Sequence, residues 1–251
     1  MNNLKISIIT VSFNQGQYIE DNIKSVLDQN YPDFEHIIID ACSTDNTLSI
    51  LKRHPHLIWT SEPDKGQSDG LNKGFKKATG DIIVWLNSDD MMCEGAFQTI
   101  NDFFIKNPDK SVLTGNQIIV DKDGKFDHRI NAVAFSEEKL LNTREYSVMQ
   151  NSTVWRRSVF ETVGYLDESF HYTMDYELFV RIAKQYKSYT IDADIAKFRK
   201  WEESKTMTSY KKFLKELVRA RKMHNARFLS SGTFWLFLEF IKYPIKRILR
   251  K

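Results

Sequence analysis

Short β-branched runs and helical apolar periodicities take turns along the first part of the chain. Ile6-Ser7-Ile8-Ile9-Thr10-Val11 is an apolar run of the kind a buried strand requires. A polar turn, Ser12-Phe13-Asn14-Gln15-Gly16, follows it, and Ile19, Ile23, Val26 and Leu27 then recur at helical spacing. Pro32 ends that region, and His36-Ile37-Ile38-Ile39 predicts a second strand that stops at Asp40. Ser43-Thr44-Asp45-Asn46-Thr47 is a turn and N-cap cluster before a short helix around Leu48 to Leu51. Leu57-Ile58-Trp59 predicts a third strand, and Leu71, Phe75 and Ala78 mark a helix closed by Gly80. Ile82 to Leu86 is a fourth strand, followed by a helix carrying Phe97, Ile100, Phe103 and Phe104. Strands alternating with helices imply an α/β chain with a parallel, doubly wound sheet.

After about Pro108 the rhythm changes. Ile118-Ile119-Val120 with Asp121-Lys122-Asp123-Gly124 predicts a strand and turn, read as a hairpin. Ser158 to Val163 is a short helix, and Met174 to Tyr186 a longer one with Leu178, Phe179 and Ile182 on its apolar face. From about Ser209 to the end the chain is helical and basic. The expected division is one domain over 1–206, with halves 1–108 and 109–206, and a basic amphipathic helical appendage over 207–251.

Composition narrows the classes. The chain has 251 residues, 41% of them hydrophobic, which suffices for one large domain with a core. A formal net charge of +3 gives no general basis for nucleic-acid binding. Cys42 and Cys93 lack metal-ligand spacing, and so few thiols in a chain this size point to a reducing compartment. No signal peptide is expected from Met1-Asn2-Asn3-Leu4-Lys5-Ile6. No window reaches the roughly 18 to 20 apolar residues that a membrane-spanning helix needs.

The candidate chemistry collects where the strands end. Asn87-Ser88-Asp89-Asp90 follows Ile82-Ile83-Val84-Trp85-Leu86 directly, so adjacent carboxylates stand at the carboxyl end of a buried strand. Unpaired charge there is costly and calls for water, a cation or a polar ligand. Oxygen ligands at the carboxyl edge of an open α/β sheet suit Mg²⁺ or Mn²⁺ held together with a phosphate. The structural alternative is an Asp-rich turn in which Asp90 caps the next helix. Ser12 and Asn14, and Asp40, close two other strands. The first crossover has no G-x-G-x-x-G, which argues against a dinucleotide dehydrogenase, and no Walker-type phosphate loop is present.

Five segments in order carry a resemblance. Ser7-Ile8-Ile9-Thr10-Val11-Ser12-Phe13-Asn14 resembles the opening of family 2 glycosyltransferases with the A-type fold. Asp40-Ala41-Cys42-Ser43-Thr44-Asp45-Asn46-Thr47 is similar to their D-x-S-x-D-x-T segment. Glu62-Pro63-Asp64-Lys65-Gly66 with Asn72-Lys73-Gly74 resembles their next block, Asn87-Ser88-Asp89-Asp90 their D-x-D signature, and Met174-Asp175-Tyr176-Glu177-Leu178 their E-D-x-E-L segment. The resemblance spans roughly residues 5 to 206. It implies a mostly parallel central sheet flanked by helices.

The resemblance also implies roles. Asp40 would accept a hydrogen bond from the nucleotide base, with Ser12 and Asn14 under base and ribose and Lys65 near nucleotide or phosphate. Asp89 would hold the ribose hydroxyls, Asp90 the Mn²⁺ or Mg²⁺ that bridges the diphosphate, and Asp175 would be the general base of an inverting transfer. Each has a bland counterpart: a turn cap for Asp40, an exposed loop charge for Lys65, and a carboxylate complementing a helix dipole for Asp175. Arg181 reads as a surface or bridging cation, Asp45 as an N-cap, and Trp59 and Trp85 as core. Two departures stand out. Met174 replaces the usual Glu before the catalytic Asp, and Phe198-Arg199-Lys200-Trp201 lacks the His that many relatives place there; His171 is poorly placed to replace it.

The chain end is a separate matter. Phe234-Trp235-Leu236-Phe237-Leu238-Glu239-Phe240-Ile241 leads into Lys242, Lys246, Arg247, Arg250 and Lys251, with Lys211, Lys212, Lys215, Arg219, Arg221 and Lys222 upstream. Aromatic density with a basic end suits an interfacial helix, and the alternative is a helix packed on the domain. The expected protein is a cytoplasmic, metal-dependent glycosyltransferase, peripheral on the inner face of the cell membrane. Its partners would be a nucleotide-sugar donor, UDP-linked, and a surface polysaccharide or lipid-linked acceptor, with no nucleic acid. A nucleotide-sugar binding protein without turnover is the rival from another class, separated by product formation from a labelled UDP-sugar. A sugar nucleotidyltransferase would carry a Gly-rich basic loop after the first strand, and Phe13-Asn14-Gln15-Gly16 is not one.

Overall fold

The computed structural model describes residues 3–144, 148–201 and 209–248; the side chains of Phe240 and of residues 242–248 fall outside that description. The expected domain boundary at 206 and the cations from Lys242 onward lie outside it too. In chain order the elements are β1 (Ile6–Ser12), α1 (Ile19–Leu27), β2 (Phe34–Asp40), α2 (Thr47–Leu51), β3 (Ile58–Ser61), α3 (Gln67–Lys77) and β4 (Ile82–Trp85). Next come β5 (Met91–Met92), α4 (Ala96–Lys106), β6 (Val112–Val120), β7 (Phe126–Ile130), α5 (Glu137–Asn142), β8 (Thr153–Arg156) and α6 (Val159–Val163). The chain continues through α7 (Met174–Gln185), β9 (Ser188–Arg199), α8 (Tyr210–Met223) and α9 (Ser231–Ile248).

Among the described residues the strands form one sheet in the order β3-β2-β1-β4-β8-β6-β9-β5. The first four are parallel, with Ile6 of β1 opposite Phe34 of β2 and Ile82 of β4, and Ser12 opposite Asp40. Beyond β4 the sheet is mixed: β8 runs antiparallel to β4 and β6, while β9 runs parallel to β6 and antiparallel to β5. Since β9 takes one edge of β6, β8 (at Val112–Thr114) and β7 (at Gln117–Val120) share the other. The expected hairpin at Asp121 to Gly124 is the β6–β7 connection. The mostly parallel sheet expected above holds for the nucleotide half, whereas β7 and β8 of the second half run antiparallel to β6.

Alternation along the strands divides the core into layers. Ile9, Ile37, Ile39, Ile83 and Trp85 pack with α3, α7 and α8 on one face, and Ile6, Ile8, Ile82 and Val84 with α4 on the other. A satellite cluster of Ile19, Ile23, Ile38, Ile50 and Leu57 joins α1 and α2 to β2. Each such aliphatic side chain contributes about 1.5–3 kcal/mol on full burial. Gly74 lets α3 approach β1 closely, since a Cβ there would lie 2.5 Å from Ile9 Cγ2.

Helix α8, read from sequence as part of an appendage, is built into this core. Phe213, Leu214, Leu217 and Ala220 are buried in the same cluster as α7. The Glu216 carboxylate accepts the backbone N–H groups of His171, Tyr172 and Thr173 at 2.7–3.1 Å, immediately before α7. Thr173, the N-cap of α7, is a donor that the helix start leaves without an intrahelical partner. One turn along α7, buried Glu177 accepts from Arg181 Nε at 2.9 Å and lies 3.0 Å from His224 Nε2 of the α8 end. Arg181 reaches on to the carbonyls of Val163, Gly164 and Tyr165, so it is a bridging cation.

At the opposite edge from the strand ends, Glu35 of β2 accepts from Ser7 Oγ at 2.6 Å and Thr79 N at 2.7 Å, with Lys5 Nζ at 2.9 Å. Burial raises this carboxyl, but the Ser7, Thr79 and Lys5 donors outweigh it and push the pKa down to about 2. A depressed folded pKa means stability that is full above the unfolded value near ~4.3 and is lost as the pH falls toward the folded one. Unfolding free energy from urea titrations should therefore drop by on the order of 2 kcal/mol between about pH 4.5 and about pH 2 from this group. Glu35→Gln should lose a similar amount at neutral pH and show a shallower acid limb. An acid limb identical to that of the unsubstituted chain would remove Glu35 from the account.

Candidate active site

The parallel strands end in turns that are tied to one another by side chains. Asp40, at the end of β2, is fully buried and accepts from Ser43 N at 2.9 Å, from Ser43 Oγ and from Ser61 Oγ at 2.7 Å. Ser43 Oγ in turn accepts the Asn14 N–H at 2.8 Å, and Asn14 Oδ1 accepts the Thr44 N–H at 2.8 Å. Asn14 and Cys42 both hold positive φ, 52° and 58°, a conformation that Asn tolerates better than most residues. Asp40, expected to meet a base directly, thus spends its oxygens on Ser43 of the turn and on Ser61 of β3. The groups left toward solvent beside it are Phe13 and Asn14, both exposed. Ser12 Oγ is buried next to this network with no hydrogen-bond partner among the described residues.

The turn after β4 is held from several sides. Asn22 of α1 donates to the carbonyls of Asn87 and Asp90 at 2.8 and 3.0 Å. Gln150 donates to Trp85 O at 2.6 Å and accepts from Asn87 Nδ2 at 3.1 Å. Asp90 is 1% exposed, with one oxygen accepting the Arg199 N–H at 3.0 Å and the other facing Asn87 Nδ2 at 3.3 Å. Burial, and then the neighbouring Asp89 charge, raise its pKa well above the usual carboxylate range against these hydrogen bonds. Asp89 is only partly buried, and one of its oxygens accepts the Trp201 indole N–H at 2.9 Å. The expectation that Asp90 meets a metal and Asp89 the ribose is at odds with this burial. Asp90 is closed in by α1 and β9, and Asp89 is the carboxylate left toward the open side.

Sequence reasoning passed over the residue that closes this turn. Arg199, at the end of β9, is 2% exposed. Its guanidinium donates to Asp89 O at 3.0 Å, Lys122 O at 2.8 Å and Asp21 Oδ2 at 2.7 Å, and lies 4.6 Å from the centre of the Tyr18 ring. Trp201 stands edge-on to the same Tyr18 at 5.3 Å, so the segment lacking the expected His supplies an indole to Asp89 instead. Strand β9 carries no periodic apolar signal that would have marked this, since Asp192, Asp194 and Lys197 interrupt it.

Asp175 lies in the first turn of α7, partly buried, and accepts the Tyr176 N–H at 2.8 Å. The segment before α3 connects it to the other turns. Gly66 has φ 123°, and a Cβ there would lie 3.7 Å from His171 Nδ1. Ser68 Oγ donates to Phe170 O at 3.0 Å, and Asn72 exchanges two hydrogen bonds with Leu166 at 2.9 and 3.0 Å. Gln67 Nε2 reaches Asn87 Oδ1 at 3.5 Å, the limit of a hydrogen bond. Lys65 is exposed beside these residues, its backbone N–H donated to Asp69. The start of α3 therefore touches both the Asn87–Asp90 turn and the loop that leads into Asp175.

The donor set fits a shared cation better than a caged one. Among the described residues no group of three or more His, Cys, Asp or Glu could hold a metal. One accessible carboxylate with a second behind it suits Mg²⁺ or Mn²⁺ that completes its shell with phosphate oxygens and water.

Known proteins resemble this chain in sequence and in fold. The model of Glycosyl transferase family 2 matches residues 7–164. The putative teichuronic acid biosynthesis glycosyltransferase TuaG of Bacillus subtilis (strain 168) is 25% identical over 257 residues, 96% of each chain. A poly-beta-1,6-N-acetyl-D-glucosamine synthase of Staphylococcus epidermidis is 29% identical over 174 residues, 64% of this chain and 42% of that protein. Among solved structures, S. aureus TarS 1-349 in complex with UDP-GlcNAc superposes with a TM-score of 0.68 at 22% identity, covering 92% of this chain and 69% of that one. Mannosyltransferase PcManGT from Pyrobaculum calidifontis, in complex with GDP-Man and Mn2+, gives 0.63 at 18% identity, covering 88% and 64%. At these identities the structures show the fold, the A-type glycosyltransferase architecture; the family match covers more than half of the sequence, and the chain belongs to glycosyl transferase family 2.

Proposed function

We propose that this glycosyltransferase moves a sugar from a UDP-linked donor to a hydroxyl of a growing surface polysaccharide or lipid-linked glycan, with inversion at the anomeric carbon. It would act in the cytoplasm, at the inner face of the cell membrane. The observation that carries the reading is the start of α3, whose Gln67 reaches the Asn87–Asp90 turn on one side and whose Ser68 donates to Phe170 of the loop before Asp175 on the other. In this reading Lys65, Asp89 and Asp175 would serve one site around that segment. The donor class is supported by the UDP-GlcNAc and UDP complexes of TarS. The acceptor class is supported by the names of the teichuronic acid and poly-N-acetylglucosamine enzymes.

In this reading the Asp40–Ser43–Asn14 network shapes the floor under base and ribose, and Ser12 Oγ offers it an unpaired hydroxyl. Lys65 brings a positive charge toward the diphosphate. Asp89 turns its freer oxygen to ribose, diphosphate and cation, while Asp90, behind it, fixes the turn. A bound Mn²⁺ or Mg²⁺ would offset charge developing on the leaving diphosphate. Asp175 accepts the proton of the acceptor hydroxyl as that oxygen attacks the anomeric carbon. The bond from that carbon to the diphosphate oxygen breaks, and its electron pair leaves with UDP. Met174 is buried and gives the step no second carboxylate. Product formed from a labelled UDP-sugar separates this reading from binding without turnover.

Calorimetry with UDP and Mn²⁺ tests the division of labour between the adjacent carboxylates. Asp89→Asn should weaken UDP binding about tenfold, the worth of one charge-assisted contact, with little change in melting temperature. Asp90→Asn should lower the melting temperature more than it lowers affinity. The reverse ordering would return the metal to Asp90.

Asp175→Asn keeps size and removes the proton acceptor. Transfer should fall by roughly 10²- to 10⁴-fold, with UDP affinity near that of the unsubstituted chain. Transfer at an undiminished rate would leave Asp175 as a helix-terminus charge only.

A further inference from the structure

Helix α9 has an apolar face where a surface helix should be polar. Its inner side is docked: Leu236 is buried, Trp235 packs against the main core, and Glu239 accepts from Tyr210 Oη at 2.8 Å. Gly232 fits closely at its start, since a Cβ there would lie 2.6 Å from Thr143 O. Yet Phe234, Phe237 and Ile241, about one turn apart, are all exposed on the outer side. Phe228 and Leu229, in the connection from α8, are 86% and 91% exposed. Single exposed apolar side chains are ordinary, but a group of five on one helix and its lead-in loop marks an interaction surface. A helix that is apolar on both sides belongs in a core or at a membrane.

Charge decides the occupant. From Ser231 to Lys251 the sequence has one acid, Glu239, which is buried, and five cations, Lys242, Lys246, Arg247, Arg250 and Lys251. A second copy of the chain would bring like charges together. A surface of anionic headgroups over acyl chains matches the exposed aromatic side chains and the basic sequence that follows them. No helix of the described residues is long and apolar enough to cross a membrane, so the matching geometry is a helix lying in the interface.

We infer that Phe228, Leu229, Phe234, Phe237 and Ile241 form a docking surface for an anionic lipid bilayer. The contact goes beyond the transfer chemistry and does not depend on it. Its consequence for the site is geometric, because α8, which leads into α9, also carries the Glu216 carboxylate that holds the loop before Asp175. Docking at α9 therefore orients the acceptor side of the site relative to the bilayer.

Co-sedimentation of the full chain with vesicles tests this. Phosphatidylcholine vesicles containing phosphatidylglycerol should carry the protein down, pure phosphatidylcholine vesicles much less, and high salt should release part of it. Phe234→Ser with Phe237→Ser, and separately Phe228→Ser with Leu229→Ser, should each reduce partitioning by about tenfold or more, as expected for removing buried apolar groups. Both pairs are solvent-exposed, and an unchanged circular dichroism melt is expected to accompany the loss. A chain that stays in the supernatant with both vesicle types overturns the inference, as do paired variants that bind like the unsubstituted chain. Concentration-dependent dimers that the Phe234/Phe237 pair dissolves, without vesicle binding, would reassign the surface to self-association and overturn the lipid occupant. Loss of vesicle binding with transfer from a soluble acceptor intact separates this surface from the catalytic reading.

Discussion

The turn after β4 is held by one buried guanidinium, that of Arg199. Burying a guanidinium is costly unless its donors are met and its charge is offset. Here Asp21 supplies the charge, the Asp89 and Lys122 carbonyls accept, and the Tyr18 ring faces the cation. Its backbone N–H adds the hydrogen bond to Asp90. A single side chain thus ties the start of α1, the turn after β4, the β6–β7 turn and the end of β9. Removing the guanidinium would leave the Asp89 and Lys122 carbonyls without it, a loss on the order of 1–3 kcal/mol.

That clamp accounts for the unequal fates of neighbouring carboxyls. Asp90 is drawn inward against β9, where burial and the Asp89 charge raise its pKa. Asp89 keeps its backbone in the clamp and its side chain outside, steadied by the Trp201 indole. The mixed half of the sheet makes this possible, because β5 pairs antiparallel to β9 and brings Met91 opposite Lys197. The acceptor side has its own anchor in Glu216, which holds the loop before Asp175 from α8. The start of α3 joins the anchored sides through Gln67 and Ser68.

The parallel half of the sheet was legible because its strands are buried on both faces. Ile6 to Val11, His36 to Ile39 and Ile82 to Leu86 are near-continuous apolar runs, and their ends carry the motifs. Strand β9 was not, since Asp192, Asp194 and Lys197 leave it without a sustained apolar run and it owes its place to pairing with distant β6. Strand β8, the helix α5 and the two-residue β5 are too short to show a period. The roles of Asp89 and Asp90 could not be read from spacing, because what buries Asp90 is Arg199, 109 residues away. The appendage expected from 207 onward merged into the core for a related reason. A basic helix with Phe213, Leu214 and Leu217 on one side looks the same in sequence whether it packs on α7 or on something else.

The central claim is that Arg199, touching no substrate, sets the position of Asp89 for the donor. A double-mutant cycle on UDP affinity in Mn²⁺ measures it, using Arg199→Lys, Asp89→Asn and the pair, at a temperature where all remain folded by circular dichroism. Lysine keeps the charge but cannot fork between Asp21 and the two carbonyls. Each single variant should weaken binding about tenfold, and the pair should be no weaker than either alone, since both remove one coupled contact. Additive losses, or an Arg199→Lys chain that binds UDP as tightly as the unsubstituted one, would contradict the account.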